Sequence, residues 1–172
     1  MGNNKTEEII EFLNENFPGS ILATENSFGI PIIEVDSAMA HKIIKFLKDD
    51  SRFAINFLTL LGAVHYPDQK DRELVVVYHL HSWTQNLKIR LKAFLPISNP
   101  VIRTVSDIHL CANWMERETY DFYGVIFEGH TNLKRILNED SMDYFPLRKE
   151  YALEDATRED KDDRFFGRFK AQ

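Results

Sequence analysis

Two segments in the first third of the chain repeat apolar residues at the three- and four-residue spacing of a helix that buries one face. The first segment follows a capping-box pattern at Asn4 and Glu7 and stops at Pro18-Gly19. The second follows Asp36, a predicted N-cap, and continues to about Leu47. Each predicted helix has one apolar stripe, so both are expected to pack against a shared core.

Strand patterns dominate the middle of the chain. Residues 20–24 and 30–35 are predicted as short strands, and residues 74–80 as a strong strand rich in β-branched side chains. Residues 53–65 fit either a strand or a mixture of strand and helix. Residues 87–95 give the clearest signal, because five apolar positions alternate with three cations, which are Lys88, Arg90 and Lys92. That alternation predicts a half-buried strand in an antiparallel hairpin with residues 74–80.

A third helix is predicted between Ser106, a candidate cap, and Gly124, a candidate C-terminal stop. Its apolar stripe consists of Ile108, Cys111 or Ala112, Met115 and Phe122. Cys111 is therefore expected to lie in the core. A short apolar segment at 125–127 follows the predicted stop.

These elements predict an α+β fold, with a two-layer domain over residues 1–152 in which helices pack on a mixed, mainly antiparallel sheet. Residues 153–172 are predicted to form an extended C-terminal arm, since residues 154–172 hold six acidic and five basic residues and little core pattern. Fully extended, residues 146–172 would span about 90 Å, whereas a domain of this length has a radius of gyration of about 16 Å. The arm is expected to be disordered or to lie along a partner.

Composition excludes several classes of function. The 172 residues carry a net charge of −6, which argues against the broad cationic surface of a general nucleic-acid-binding protein. The longest apolar run, 57–64, is far shorter than the ~20 residues of a membrane span. The single cysteine excludes an intrachain disulfide, a multi-cysteine zinc site and an iron–sulfur cluster held by this chain alone. The N-terminal pattern predicts no signal peptide, while residues 1–6 match the loose N-myristoylation pattern.

The densest group of ionisable residues is Glu116, Arg117, Glu118 and Asp121, with His130 downstream. Arg117 and Asp121 are four residues apart on the predicted helix and are expected to pair. One interpretation is a stand-alone hydrolase in which Glu116, Glu118 and His130 act as acid and base. No nucleophile pattern accompanies them, which favours a salt-bridged helix surface that docks on another subunit.

Two further patterns have weaker chemical interpretations. His79 and His81 lie on one face of a strand, a spacing that suits metal ligands, but no third ligand follows at a recognisable distance. A packed or hydrogen-bonded role is therefore favoured for both. Lys88, Arg90 and Lys92 lack the interleaved aromatic residues of an RNA-reading sheet, so a solvated or acid-pairing face is expected.

Residues 114–137 resemble the Glu-Arg-Glu signature of the hydrophilic C subunit of proton-pumping NADH:quinone oxidoreductase, respiratory complex I. The positions that fit this long, gapped signature are Glu116, Arg117, Glu118, Asp121, Phe122, Tyr123, His130, Lys134, Ile136 and Leu137. Residues 146–151 resemble the Pro-Leu-Arg-Lys-Asp-Tyr that closes the family's domain, and the resemblance covers about residues 53–152. The chain departs from the family pattern at Thr131 and Ala152, where proline is usual, and at Tyr144-Phe145, where Gly-His is usual.

The resemblance implies a non-catalytic scaffold subunit of the peripheral arm, on the cytoplasmic side of the bacterial inner membrane, that supports proton-coupled electron transfer from NADH to quinone. It implies no cofactor in this chain, with FMN and iron–sulfur clusters held by partner subunits. The implied partners are the quinone-site (49-kDa-type) subunit and the cluster-bearing subunits, with no nucleic acid, and with the membrane met only through the complex. An equivalent subunit of a membrane-bound hydrogenase or of another dehydrogenase is the alternative.

The resemblance also implies which residues order the signature segment and its interface. They are Glu116, Arg117, Glu118, Asp121, Gly124, His130, Lys134, Arg135, Pro146, Leu147, Arg148, Lys149 and Tyr151. None of them is implied to be catalytic, to bind a cofactor or to ligate a metal.

Overall fold

The computed structural model describes residues 2–151. The helices of this part of the chain are α1 (Gly2–Asn16), α2 (Ala40–Asp49) and α3 (Ala112–Tyr123). Its strands are β1 (Ile21–Ser27), β2 (Ile30–Val35), β3 (Phe57–His65), β4 (Leu74–Ser82), β5 (Leu87–Leu95), β6 (Val101–Arg103) and β7 (Ile126–Glu128). The predicted arm, residues 153–172, lies outside the described residues.

Five strands form one sheet in the order β1-β2-β5-β4-β3. β2 and β5 run parallel, and the other three neighbouring pairs are antiparallel. β6 and β7 form a small parallel sheet of their own. The structure confirms the α+β fold with a mixed, mainly antiparallel sheet. It also confirms the hairpin, because β4 and β5 pair from Leu74 with Leu95 to Ser82 with Leu87.

The five-stranded sheet has one buried face and one open face. Alternate residues of β4 and β5 join the buried residues of α1 and α2 in one core cluster, as Tyr78 and Leu91 do. The period-two prediction for 87–95 is confirmed, since its five apolar residues are buried while Lys88 is exposed. The buried apolar side chains of the three described helices all belong to this inner cluster, so no described helix packs on the opposite face. We call that opposite side the open face; it carries Leu60, Val64, Val77, His79, His81, Lys88, Arg90 and Lys92.

Two helices begin at other residues than their capping patterns predict. The Asp36 carboxylate accepts a hydrogen bond from the Ala38 N–H at 3.0 Å and so stabilises a turn, and α2 begins only at Ala40. α1 begins at Gly2, so Asn4 lies inside the helix and not at its cap. Short polar side chains satisfy turns as readily as helix ends, which is why a capping pattern alone misplaces the start.

The start of α3 differs from the prediction in the same way. Ser106 lies in a turn with Thr104, their hydroxyl oxygens 2.8 Å apart, and α3 begins six residues later at Ala112. Cys111 occupies the N-cap position and is exposed, with its thiol 3.7 Å from the Leu58 carbonyl oxygen. The core position belongs to Ala112, so the prediction of a core cysteine is wrong.

Two strands, β1 and β4, end later than the sequence pattern predicts, whereas β2 and β5 have the predicted bounds. β1 continues to Ser27, and the loop between β1 and β2 shrinks to Phe28 and Gly29. Both loop residues have positive φ angles, 53° and 78°, as a two-residue hairpin turn requires. The ambiguous stretch at 53–65 is resolved as a strand that begins at Phe57.

Candidate functional site

Helix α3 buries charged side chains on the face that ordinarily holds apolar ones. Its buried residues are Ala112, Glu116, Arg117, Thr119 and Asp121. Met115 and Phe122, two residues of the predicted apolar stripe, are only half-buried. The prediction of a salt-bridged helix surface is therefore wrong for the three buried charges, which need partners inside the protein. The irregular segment that follows the helix and the turn that precedes it supply those partners.

Asp121 is the centre of this arrangement. Its fully buried carboxylate accepts hydrogen bonds from the backbone N–H groups of Ile136, Leu137 and Asn138 at 2.8–3.0 Å. It also accepts from Arg135 Nη1 at 2.8 Å and from the Asn138 side-chain amide at 3.0 Å. Burial disfavours the charge, but the N–H groups and the Arg135 guanidinium outweigh it and hold the pKa of Asp121 well below its usual range. Asp121 is thus an anchor for residues 135–138 that is ionised at neutral pH.

Arg135 extends the same network to the next part of the segment. Its Nη1 donates to the Asp121 backbone oxygen at 2.9 Å as well as to the carboxylate. Its Nη2 donates to the carbonyl oxygens of Met142 and Tyr144 at 2.8 and 2.9 Å. The guanidinium carbon lies 5.1 Å from the centre of the Phe145 ring. One side chain therefore holds the last turns of α3 and the stretch 142–144 together.

Arg117 does not form the predicted pair with Asp121. Its Nε and Nη2 donate to the carbonyl oxygens of Lys134 and Arg135 at 3.1 and 3.2 Å, and its guanidinium lies over the Trp114 ring at 5.0 Å. The two residues are one helical turn apart, but the carboxylate oxygens are already occupied by residues 135–138. We call Arg117, Asp121, Arg135 and Arg148, with the backbone groups they bind, the polar clasp.

Gly124 ends α3, as predicted, and lets the chain close over the helix end. Its φ angle of +75° is a left-handed conformation that glycine adopts without strain. A Cβ atom at this position would lie 2.5 Å from the Phe145 ring and 2.7 Å from Arg148. Arg148 Nε donates to the Tyr123 carbonyl oxygen at 2.8 Å, which satisfies a free backbone acceptor of the last helical turn. The segment around Pro146 is thereby fixed on the end of the helix.

Glu116 ties α3 to the turn that precedes it. Its carboxylate is fully buried and accepts hydrogen bonds from the Val105 N–H at 2.7 Å and from the Thr104 hydroxyl. Burial raises the pKa of Glu116 to about 7, against the opposing effect of those two hydrogen bonds. Burial and the nearby Glu116 charge also raise the pKa of Tyr78, whose hydroxyl has no hydrogen-bond partner among residues 2–151.

The three residues of the hydrolase hypothesis are not brought together. Glu116 is buried, whereas Glu118, about 200° further round the helix, is exposed. The His130 ring is used locally, with Nε2 3.1 Å from the Asn113 carbonyl oxygen and Nδ1 accepting from the Asn132 N–H at 3.0 Å. A neutral imidazole that carries its proton on Nε2 satisfies both contacts.

The surface above the polar clasp is apolar. We call it the signature surface; it consists of Trp114, Leu137, Tyr144, Leu147 and Tyr151, which are 37–65% exposed. Lys134 and Lys149, two implied interface residues, are exposed beside it. The Lys149 N–H donates to His65 Nδ1 at 2.9 Å, which joins this segment to the end of β3.

Sequence reasoning missed Thr104 and Asn138, which bind the two buried carboxylates. Only the local Thr-Val-Ser turn pattern points to Thr104, and nothing local points to Asn138, because its contact with Asp121 spans 17 residues. His79 is half-buried and His81 is buried against Trp83, so the packed interpretation holds for His81. Across residues 2–151, no three or more His, Cys, Asp or Glu side chains are placed to hold a metal ion.

The comparisons with known proteins agree on one family. The model of the family described as respiratory-chain NADH dehydrogenase, 30-kDa subunit, matches residues 33–157. The chain belongs to this family. The matched range of the 30-kDa subunit family includes α3 and the whole polar clasp, and the resemblance seen in residues 114–137 is confirmed.

Curated relatives are named as the C subunit of NADH-quinone oxidoreductase. The protein from Geobacter metallireducens is 37% identical over 155 residues, which are 90% of this chain and 94% of the relative. The protein from a Nocardioides species is 43% identical over 111 residues, 64% of this chain. That alignment covers 44% of the Nocardioides protein, so the chain spans about half the length of some relatives in this family.

Two solved structures share the fold. A trypsin-resistant fragment of Nqo5, residues 1–134, has a TM-score of 0.62 and 26% identity, covering 74% of this chain and 98% of that one. A chain from an archaeal membrane-bound sulfane sulfur reductase has a TM-score of 0.72 at 24% identity, covering 87% and 86% of the two chains. Within residues 2–151 of the present chain, no helix is long and apolar enough to cross a bilayer.

Proposed function

We propose that this chain is a structural subunit of the peripheral arm of a proton-pumping NADH:quinone oxidoreductase. It holds neighbouring subunits in place while electrons pass from NADH, through FMN and iron–sulfur clusters that those subunits carry, to quinone. It lies on the cytoplasmic side of a bacterial inner membrane and meets the membrane only through the complex. Its family membership and the names of its relatives support this assignment.

The observation that carries the proposal is what the fold does with the charges of the signature. Asp121, Arg117, Arg135 and Arg148 form their hydrogen bonds within the chain itself, most of them with backbone groups. A carboxylate that accepts five hydrogen bonds at a strongly lowered pKa is a poor proton carrier at neutral pH, but it makes an irregular segment rigid. The charged residues of the signature therefore fix the shape of the surface that this segment forms.

The signature surface supports a docking role. Contiguous exposed aromatic and aliphatic side chains mark protein–protein contacts more often than free solvent-facing surface. Its residues are anchored directly to the polar clasp, as Leu137 is through its N–H bond to Asp121. We propose that the quinone-site (49-kDa-type) subunit packs here and that cluster-bearing subunits lie beyond it. The residues of the arm, 153–172, are proposed to lie along the same partner.

A second candidate is the equivalent subunit of a complex with another electron donor. The fold shared with a chain of the archaeal membrane-bound sulfane sulfur reductase favours it, because the same scaffold serves in that complex. A scaffold that touches neither donor nor acceptor carries little information about either one. The two candidates differ in the chemistry of the partner subunits and not in this chain.

Affinity purification of the tagged full-length chain from its native membranes tests the proposal. We expect a stoichiometric complex that contains FMN, shows iron–sulfur electron paramagnetic resonance signals and oxidises NADH with quinone as acceptor. A complex that is reduced by another donor and not by NADH would support the second candidate. A monomeric chain with no co-purifying subunits would overturn both.

Removal of residues 153–172 tests the role of the arm. The shortened chain should keep the cooperative unfolding of the full-length chain but recover less of the partner subunits in the same purification. Recovery equal to that of the full-length chain would show that the arm makes no contribution to assembly.

A further inference from the structure

Four side chains that carry or can acquire positive charge lie together on the open face. His79 and Arg90 are directly opposed in the β4–β5 register, and His81 and Lys88 are the next opposed pair on that face. Directly opposed Cβ atoms are about 5 Å apart, and residues two apart along a strand are about 7 Å apart. The four side chains therefore occupy one small rectangle of the sheet, which we call the basic quartet.

The basic quartet has no acidic partner within residues 2–151. The ion pairs of this part of the chain include none of its four members. Neighbouring cations are paired, since Arg72 lies 2.6 Å from Glu34 and Lys92 lies 4.0 Å from Glu25. The sheet thus retains a positive field here that its described residues do not neutralise.

Two nitrogen atoms of the basic quartet are buried without a hydrogen-bond partner in the described part of the chain, Arg90 Nε and His81 Nε2. His81 is only 9% exposed, so its ring is held in place and does not turn freely to water. Burial and the Arg90 charge lower the pKa of His79, which reflects the same positive field. The exposed Lys88 ammonium and the half-buried Arg90 guanidinium are the groups that can donate hydrogen bonds to an approaching carboxylate.

An apolar rim borders the basic quartet on the β3 side. Leu60 lies opposite His79 and Phe57 opposite His81, and these two apolar side chains are 52% and 42% exposed. Trp83 is 65% exposed, and its ring centre lies 4.8 Å from that of His81 and 5.7 Å from that of Phe57. A ligand that satisfies the whole surface needs carboxylates and apolar side chains side by side.

We propose that the basic quartet and its apolar rim form a docking surface for an acidic polypeptide segment of a partner protein. Carboxylates of that segment bind the quartet, and its apolar side chains cover Phe57, Leu60 and Trp83. A small free anion would neutralise the charge but leave the rim exposed. The observations that support this surface all come from the sheet. We expect the partner to belong to the same respiratory complex, and that expectation alone rests on the proposed function.

Photo-crosslinking in the full-length chain tests this surface. The full-length chain with a benzophenone amino acid at position 60 is expressed in the native host and irradiated. The crosslinked peptide is then identified by mass spectrometry. We expect a peptide rich in Asp and Glu from another protein chain. The yield should fall at least fivefold with Lys88→Glu, an exposed position that folding tolerates, and stay unchanged with Lys42→Glu, a matched exposed lysine on α2. Reversing the charge of the mapped acidic residues in the partner should restore the yield with Lys88→Glu.

Other results would overturn the proposal. A crosslink to residues 152–172 of the same chain would make its own C-terminal segment the occupant. A crosslink to a segment without acidic residues, a yield that Lys88→Glu leaves unchanged, or no crosslink at all would each contradict an acidic partner. An acidic partner that belongs to no quinone reductase would leave the docking surface standing and count against the proposed function.

Discussion

Replacing Asp121 with asparagine removes the charge at the centre of the polar clasp and keeps the shape of the side chain. Five hydrogen bonds reach the buried Asp121 carboxylate, one of them from the half-buried Arg135. Breaking a buried ion pair by removing one partner costs about 3–5 kcal/mol. Asparagine retains one acceptor oxygen, so we expect the lower end, about 3 kcal/mol of unfolding free energy. For a chain of this size that lowers Tm by about 6–12 °C.

Urea unfolding followed by circular dichroism measures this loss, and hydrogen exchange locates it at the N–H groups of residues 136–138. Because the folded pKa of Asp121 lies below its unfolded value near 4, its contribution is complete above about pH 4 and is lost only in stronger acid. The difference between wild type and variant should therefore be constant from pH 5 to pH 8. Asp140→Asn, an exposed carboxylate of the same segment, is the control. A loss under about 1 kcal/mol with residues 136–138 still protected would refute the reasoning.

Three further variants address the other contacts of the site. Gly124→Ala adds a Cβ atom at a positive φ angle and within 2.7 Å of two side chains, and should lower the unfolding free energy by about 2 kcal/mol or more in the same assay. The unfolding free energy of Glu116→Gln should rise relative to that of wild type by up to about 3 kcal/mol between pH 5 and pH 8. The folded pKa of Glu116 is about 7, above the unfolded value near 4.3, so wild type loses stability as the pH rises. Arg135→Lys keeps the charge but not the fork that reaches Met142 and Tyr144, so exchange of residues 142–148 should accelerate while residues 30–35 stay protected.

The parts of the fold set by local periodicity are predictable from the sequence. The alternation in residues 87–95 identifies β5, its buried face and its cationic face, because neighbours along a strand fix which way each side chain points. Gly124 is predictable for the same reason, since a left-handed helix end depends on one residue. The family signature in turn locates the clasp residues without saying what they bind.

The partners of the buried charges are not encoded in any local spacing. Helical periodicity pairs Arg117 with Asp121, but the carboxylate instead binds Arg135 and three N–H groups from a segment without regular structure. The prediction for Glu116 fails in the same way. An apolar-stripe argument expects an ionised acid to face water, whereas the turn at Thr104 supplies two hydrogen-bond donors inside the protein. Contacts between an irregular segment and a helix depend on how the whole chain closes.

The turnover of NADH:quinone oxidoreductase per assembled complex tests most directly whether this chain is a structural support. Membranes from strains carrying wild type, Asp121→Asn and Glu118→Gln are compared for the amount of assembled complex and for NADH:quinone activity. A structural role predicts that Asp121→Asn lowers both in proportion, and that in both variants activity follows the amount of assembled complex, so that turnover per complex stays constant. Full assembly with turnover reduced tenfold or more in either variant would contradict it and would place this chain in the chemistry itself.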